Sequence, residues 1–135
     1  MTTGYSGTPL AQKLGLKRGM RAWFCHMPDD VRAIIDAEIG SLDLQTAPSA
    51  GLEAAHLFVT ARENLARELP KLRDCLAPAG FLWVSWPKKA SKQPTDITED
   101  VIREIALPTG LVDVKVCAVD ETWSGLKLMI RRSER

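Results

Sequence analysis

The chain lacks an excess of either charge. Its 18 Lys and Arg nearly cancel 17 Asp and Glu, leaving a net charge of +1. That balance argues against a general role on nucleic acid or on a membrane surface. No uninterrupted apolar run approaches the ~20 residues that span a bilayer. Cysteine is sparse. Cys25, Cys75 and Cys117 are odd in number and far apart, without the close spacing of a zinc knuckle or redox motif. They are expected to be buried, reduced core residues. Two histidines, His26 and His56, stand without a neighbouring Cys, Asp or Glu set, so no metal site is expected. Ser124 precedes Gly125 but lacks the Gly-x-Ser-x-Gly frame of a hydrolase elbow. Internal repeats and low-complexity tracts are absent. Met1 to Pro9 is small and polar, with no signal-peptide core, and the expected location is cytoplasmic.

What the chain does have is globular. At 135 residues, 45% hydrophobic and 26% charged, it fits one folded domain. Residues 1–19 read as an amino-terminal arm. Within it, Ser6-Gly7-Thr8-Pro9 is turn chemistry, and Thr8 is the expected cap of a short helix from Leu10 to Leu14, with Pro9 in its first position. Residues 20–135 read as the domain proper.

Met20 to Met27 carries a compact apolar block and reads as a strand ended by Pro28. Asp29 or Asp30 is placed to cap a helix over Val31 to Ile39, with Gly40 as its stop. Leu42 to Thr46 is a short strand candidate and Ala54 to Thr60 a stronger one. Leu65, Leu69, Leu72 and Leu76 form one helical face over Arg62 to Ala77, which Pro70 should kink or interrupt. A Pro/Gly turn at Leu76 to Gly80 then precedes a buried strand, Phe81 to Trp86.

Asp96-Ile97-Thr98-Glu99 has the form of a capping box, with Asp96 as cap. The helix it opens should bury Val101, Ile102, Ile105 and Ala106. Leu111 to Val119 alternates, placing Val112, Val114, Val116 and Ala118 on one side. Leu126, Leu128 and Ile130 alternate with Lys127, Met129 and Arg131. The two runs read as a hairpin. Alternating strands and helices predict an α/β fold: a single Rossmann-like, three-layer domain whose mostly parallel sheet closes with a carboxyl-terminal antiparallel hairpin.

The run from Leu72 to Trp86, followed by a helix, a glycine and a hairpin, resembles the carboxyl half of class I S-adenosylmethionine-dependent methyltransferases. In that family a similar leucine, proline, glycine segment precedes the fifth strand. The resemblance spans about Ala54 to Arg131. It implies a Gly-rich loop directly after the first strand and an acidic residue near the end of the second, to hold a ribose. Here the loop position reads Cys25-His26-Met27-Pro28-Asp29-Asp30. It has no glycine to let a cofactor approach the backbone. Asp43 lies early in its segment. No cofactor is therefore expected.

A second resemblance covers nearly the whole chain. It rests on Ser6-Gly7-Thr8-Pro9-Leu10 with Lys13-Leu14-Gly15, on Trp86-Pro87-Lys88-Lys89-Ala90-Ser91, and on Lys115 to Glu121 with Trp123-Ser124-Gly125-Leu126. These segments are similar to a family of small bacterial proteins of unknown function. That similarity implies the fold and no activity.

Ligands of open α/β sheets bind beyond the carboxyl ends of parallel strands. That rule selects His26, Asp29, Thr60, Lys88 and Lys89 as one strand-end crevice. Lys88, Lys89 and Lys92 follow a central strand and are suited to an anion, helped by the amino end of the helix near Ile97; a solvated basic loop is the alternative. His26 is the better placed histidine for acid–base chemistry, with no nucleophile fixed beside it and Cys25 expected on the opposite face. His56 reads as structural. Asp120, Glu121 and Trp123 fall in the hairpin turn, where they either hold a polar ligand or decorate the turn. Trp86 and Trp123 are candidates for lining a pocket or an interface. No residue is assigned a catalytic role.

Three functions remain open: a non-enzymatic binding or interaction protein on a scaffold without its cofactor loop; a small enzyme or sensor for an anionic metabolite at Lys88 and Lys89; or a homodimer paired through an edge strand or the Trp123 hairpin. The expected partner is an anionic small molecule or another protein, with no membrane and no general nucleic-acid partner.

Overall fold

The computed structural model describes residues 8–135. Readings that fall on Met1 to Gly7, including the Ser6-Gly7 half of the proposed turn, lie outside the described residues. A six-stranded sheet carries the fold. Its strands are β1 (Arg21–Cys25), β2 (Asp43–Leu44), β3 (Leu52–Phe58), β4 (Leu76–Pro87), β5 (Leu111–Ala118) and β6 (Trp123–Ile130), in the order β2-β1-β3-β4-β6-β5. The first four run parallel, and β6 is antiparallel to both β4 and β5. The expected α/β class, the mostly parallel sheet and the closing hairpin are all present.

Two helical layers cover the sheet. Helices α3 (Arg62–Cys75) and α4 (Glu99–Ala106) bury Leu65, Leu69, Leu72, Ile102 and Ala106 against Leu82, Val84 and Trp86 of β4. Helices α1 (Leu10–Lys13) and α2 (Asp29–Ile39) bury Leu10, Leu14, Val31 and Ile35 on the other face, against Phe81 and Trp83. The period of two along β4 thus divides its side chains between the two cores. Residues 10–16 belong to this second core: Leu14 is fully buried, and its carbonyl accepts a bond from Trp83 Nε1 at 2.9 Å.

Several local expectations are corrected. Pro70 does not break α3. It lies on the exposed side, opposite the leucine stripe, so the carbonyl of Ala66 that loses its partner faces water. The Pro/Gly turn is absent as a separate element, because β4 begins at Leu76 directly. Residues 77–80 arch out as an irregularity: the pairing steps from Leu52 with Leu76 to Ala54 with Phe81. Gly80 permits this arch, because a Cβ there would stand 2.6 Å from the Leu52 carbonyl oxygen.

Caps also differ from the local reading. Helix α1 starts at Leu10, after Pro9, and is capped from α2 rather than by Thr8: the Glu38 carboxylate accepts from the Leu10 and Ala11 N–H groups at 3.1 and 2.6 Å. Helix α2 begins at Asp29 itself, behind Pro28. In α4 the cap is Thr98, whose Oγ1 accepts from Val101 N at 3.2 Å. Ile34 is largely exposed and does not join the buried face of α2.

In β5 the expected one-sided valine row is broken. A bulge lies between Asp113 and Lys115, so Val112 pairs with Met129 and Val116 with Leu126, on opposite faces. The three cysteines are free, as expected, but half-buried rather than buried.

Candidate functional site

The sheet reverses its order between β1 and β3, because β2 lies on one side of this pair and β4 on the other. That reversal is the place where open α/β sheets leave a crevice. A cavity of about 450 Å³ sits there, bounded by Cys25, His26, Thr60, Asn64, Arg67 and Trp123, with Phe58 in its wall. Cys25 and His26 both line it, against the expected opposition. His26 has left the strand and takes a left-handed conformation at φ 56°, so strand alternation no longer applies to it. Burial and the Glu68 carboxylate push the Cys25 thiol above its ordinary range, which disfavours a thiolate nucleophile.

An aromatic column descends from this cavity. Trp123 meets Phe58 edge-on at 5.1 Å, and Phe58 stacks on His56 at 4.3 Å. His56 Nε2 lies 2.6 Å from Ser85 Oγ, with both side chains buried. Burial alone lowers the His56 pKa to about 3, so His56 is neutral at ordinary pH. It lies inside β3 rather than at its start and supports the cavity wall from below.

A second cavity of about 660 Å³ opens beyond the end of β4. Trp86, Lys89, Lys92, Thr95, Glu99 and Arg103 are among its walls. The two cavities share a partition. Thr95 Oγ1 donates to the Thr60 carbonyl at 2.7 Å, and the Asp96 carboxylate accepts from Arg62 N at 2.6 Å. Asp96 therefore caps α3, not α4, and ties the loop after β4 to the end of β3.

The structure thus divides the predicted crevice. His26, Thr60 and Trp123 come together in the first cavity; Trp86, Lys89 and Lys92 come together in the second. Lys88 is half-buried and lines neither, while its backbone N–H donates to the Thr122 carbonyl. Asp29 is exposed in the first turn of α2 and also lines neither. Glu121 borders a third, open depression with Ser91 and Gln93. Asp120 is occupied locally, because its Oδ1 accepts from the N–H groups of Thr122 and Trp123, each at 2.8 Å. Among the described residues no group of His, Cys, Asp and Glu is placed to hold a metal ion, and no helix is long and apolar enough to cross a membrane.

Asn64, Arg67 and Phe58 were missed by the sequence reading. A signal existed. The first turns of a helix that follows a parallel strand face the crevice, and Asn64 and Arg67 are the polar positions there, opposite the leucine stripe.

No family model and no curated protein matches the sequence. Solved structures do match in fold. A SAM-dependent methyltransferase from Aquifex aeolicus superposes with a TM-score of 0.64 at 15% identity, over 90% of this chain and 87% of that one. The ribosomal protein L11 methylase of Lactobacillus delbrueckii subsp. bulgaricus gives 0.56 at 11%, over 90% and 77%. A TehB-like SAM-dependent methyltransferase from Corynebacterium glutamicum gives 0.57 at 8%, over 95% and 90%. The chain has the methyltransferase-like Rossmann fold.

The residues present do not fit that cofactor. After β1 the left-handed position is filled by a histidine, and Pro28 precedes α2. Asp29 and Asp30 already place two carboxylates at the positive end of the α2 dipole. Asp43 pairs with Arg21 at the start of β1, the far end of the strands from the crevice. The acidic residue of β2 is therefore at the wrong end of the strand to hold a ribose.

Proposed function

We propose that this protein is a non-enzymatic binding or interaction protein that keeps a methyltransferase scaffold and has given up the cofactor site. One observation carries the reading: the turn from Cys25 to Asp30 has a side chain at every position and no glycine where the cofactor's close approach to the backbone is needed. Its binding surface is the cavity at the β1/β3 reversal. Trp123 and Phe58 offer an apolar wall, and Thr60, Asn64 and His26 offer polar groups at the rim. Three unpaired thiols fit a reducing, cytoplasmic location. A thermal-shift titration tests the reading. A ligand at ~100 times its dissociation constant adds about 2.7 kcal/mol. S-adenosylmethionine at millimolar concentration should leave the melting temperature unchanged, and a rise would overturn the proposal.

A second reading is favoured by a separate observation. Lys89 and Lys92 line the larger cavity and make no ion pair among the described residues. On this reading the protein is a small enzyme or sensor for an anionic metabolite, held at Lys89 and Lys92 in place of Lys88. Glu99 and Asp100 share that cavity and oppose an anion there, so this reading ranks behind the first.

A further inference from the structure

β4 buries two tryptophans, one on each face of the sheet. Trp83 lies on the α1/α2 side, and its Nε1–H donates to the Leu14 carbonyl at 2.9 Å. Trp86 lies on the α3/α4 side and is only 8% exposed. Its Nε1–H has no acceptor among the described residues. A buried indole N–H ordinarily finds a partner. Trp86 lines the cavity of about 660 Å³ beyond β4, so that cavity is where an acceptor can reach it.

The same cavity separates charge. One wall carries Lys89 and Lys92, which form no ion pair with any described residue. Their turn is fixed by Ser91, whose Oγ donates to the Lys88 carbonyl at 2.7 Å and accepts from Gln93 N at 3.2 Å. Another wall is the first turn of α4, with Glu99 and Asp100. Arg103 pairs with both, at 3.0 and 3.2 Å, and with Asp113 at 3.1 Å. One guanidinium thus serves three carboxylates, and that wall keeps an excess of negative charge. A simple anion is repelled by the carboxylates and a simple amine by the lysines. A ligand long enough to place an opposite charge on each wall escapes both penalties.

We propose that this cavity binds a small zwitterion with its charges at opposite ends of a short chain. Its carboxylate accepts from Trp86 Nε1–H and pairs with Lys89 and Lys92, and its ammonium pairs with Glu99 and Asp100. The proposal rests on the reading of Lys89 and Lys92 as a ligand site and narrows the ligand from an anion to a zwitterion. Charge-assisted bonds hold the two ends. Pro87, Pro94 and Ile97, which also line the cavity, take the methylene chain between them.

The test uses the full chain, nitrogen-labelled so that the indole N–H resonances of its 4 tryptophans can be followed. The Trp86 resonance is the one missing from Trp86→Phe, and the survival of the others shows that this variant folds. The zwitterionic probes are 4-aminobutanoate, 5-aminopentanoate and 6-aminohexanoate. Pentanoate and pentylamine carry a single charge each. At least one zwitterion should shift the Trp86 resonance saturably, at least about tenfold more tightly than pentanoate or pentylamine. Lys89→Ala with Lys92→Ala should abolish the shift, and Trp86→Phe should weaken binding, read at the backbone resonances of residues 89–100. Glu99→Gln with Asp100→Asn should bring the zwitterion and pentanoate to equal affinity. Pentanoate binding as tightly as every zwitterion in the native chain would overturn the proposal and leave the anion reading standing. Binding that ignores these substitutions, or a shift at Trp123 in place of Trp86, would also overturn it. So would the absence of binding by every zwitterion; if inorganic phosphate and nucleotides fail as well, the anion reading falls with it.

Discussion

His56 Nε2 and Ser85 Oγ lie 2.6 Å apart in the buried centre of the sheet. His56 sits on β3 opposite Trp83, and Ser85 lies two residues further along β4, opposite Phe58. Burial keeps the imidazole neutral beneath Phe58, and the contact with Ser85 fixes its place below the wall of the β1/β3 cavity.

Acid should act through this pair. The folded pKa of His56 is lowered from 6.5 to about 3, so the unfolded chain binds the proton first. The contribution is whole above pH 6.5 and is lost progressively as pH falls towards 3. At ~1.4 kcal/mol per pH unit, the loss across that window reaches about 5 kcal/mol as an upper bound. Urea denaturation between pH 7 and pH 4 should show stability falling steadily, with a shallower decline in a His56→Phe, Ser85→Ala double variant. An equal slope in both proteins would remove His56 as the cause.

Gly80 should tolerate no side chain. A methyl group there meets the Leu52 carbonyl oxygen at 2.6 Å, backbone that cannot swing aside. Gly80→Ala should cost ~1–3 kcal/mol, the usual range for overpacking, read as a lower urea midpoint with an unchanged slope. A midpoint equal to that of the native protein would show that the arch at residues 77–80 is not rigid.

Asp96 joins the two cavities' partition to α3. Asp96→Ala should lose a cap worth ~1 kcal/mol and should raise hydrogen exchange at Arg62 N and in residues 92–97. Asp96→Asn should recover most of the loss, because the amide oxygen still accepts. Exchange unchanged in both variants would mean that the loop is held by other contacts.

Much of this architecture is written in local pattern. The leucine stripe of α3, the alternation of β6 and the apolar run from Phe81 to Trp86 each show their element in a short window, because burial on one face imposes the period. The order of strands and helices follows from these. What was not legible is what residues do across distance. Asp96 looks like the cap of its own helix and instead caps one that starts 34 residues earlier. Glu38 caps α1 from 27 and 28 residues away. The bulge at Asp113 and Lys115 leaves no local mark, yet it moves Val116 to the opposite face from Val112. For the same reason the strand-end rule found His26, Thr60 and Lys89 but could not tell that a Thr95 to Thr60 bond divides them between two cavities.

The second reading makes its own prediction. In a thermal-shift screen of inorganic phosphate and nucleotides, any stabilising anion should lose its effect in a Lys89→Ala, Lys92→Ala variant and keep it in Lys88→Ala, because Lys88 lines neither cavity. Stabilisation that depends on Lys88 alone would contradict this placement.

The central claim concerns the turn that leaves β1, and calorimetry addresses it directly. Titrating S-adenosylmethionine into the purified full chain should give no heat beyond dilution, because His26, Pro28 and the two aspartates crowd the approach to the backbone and Asp43 lies at the wrong end of β2 to hold a ribose. Saturable binding at micromolar affinity would contradict the account.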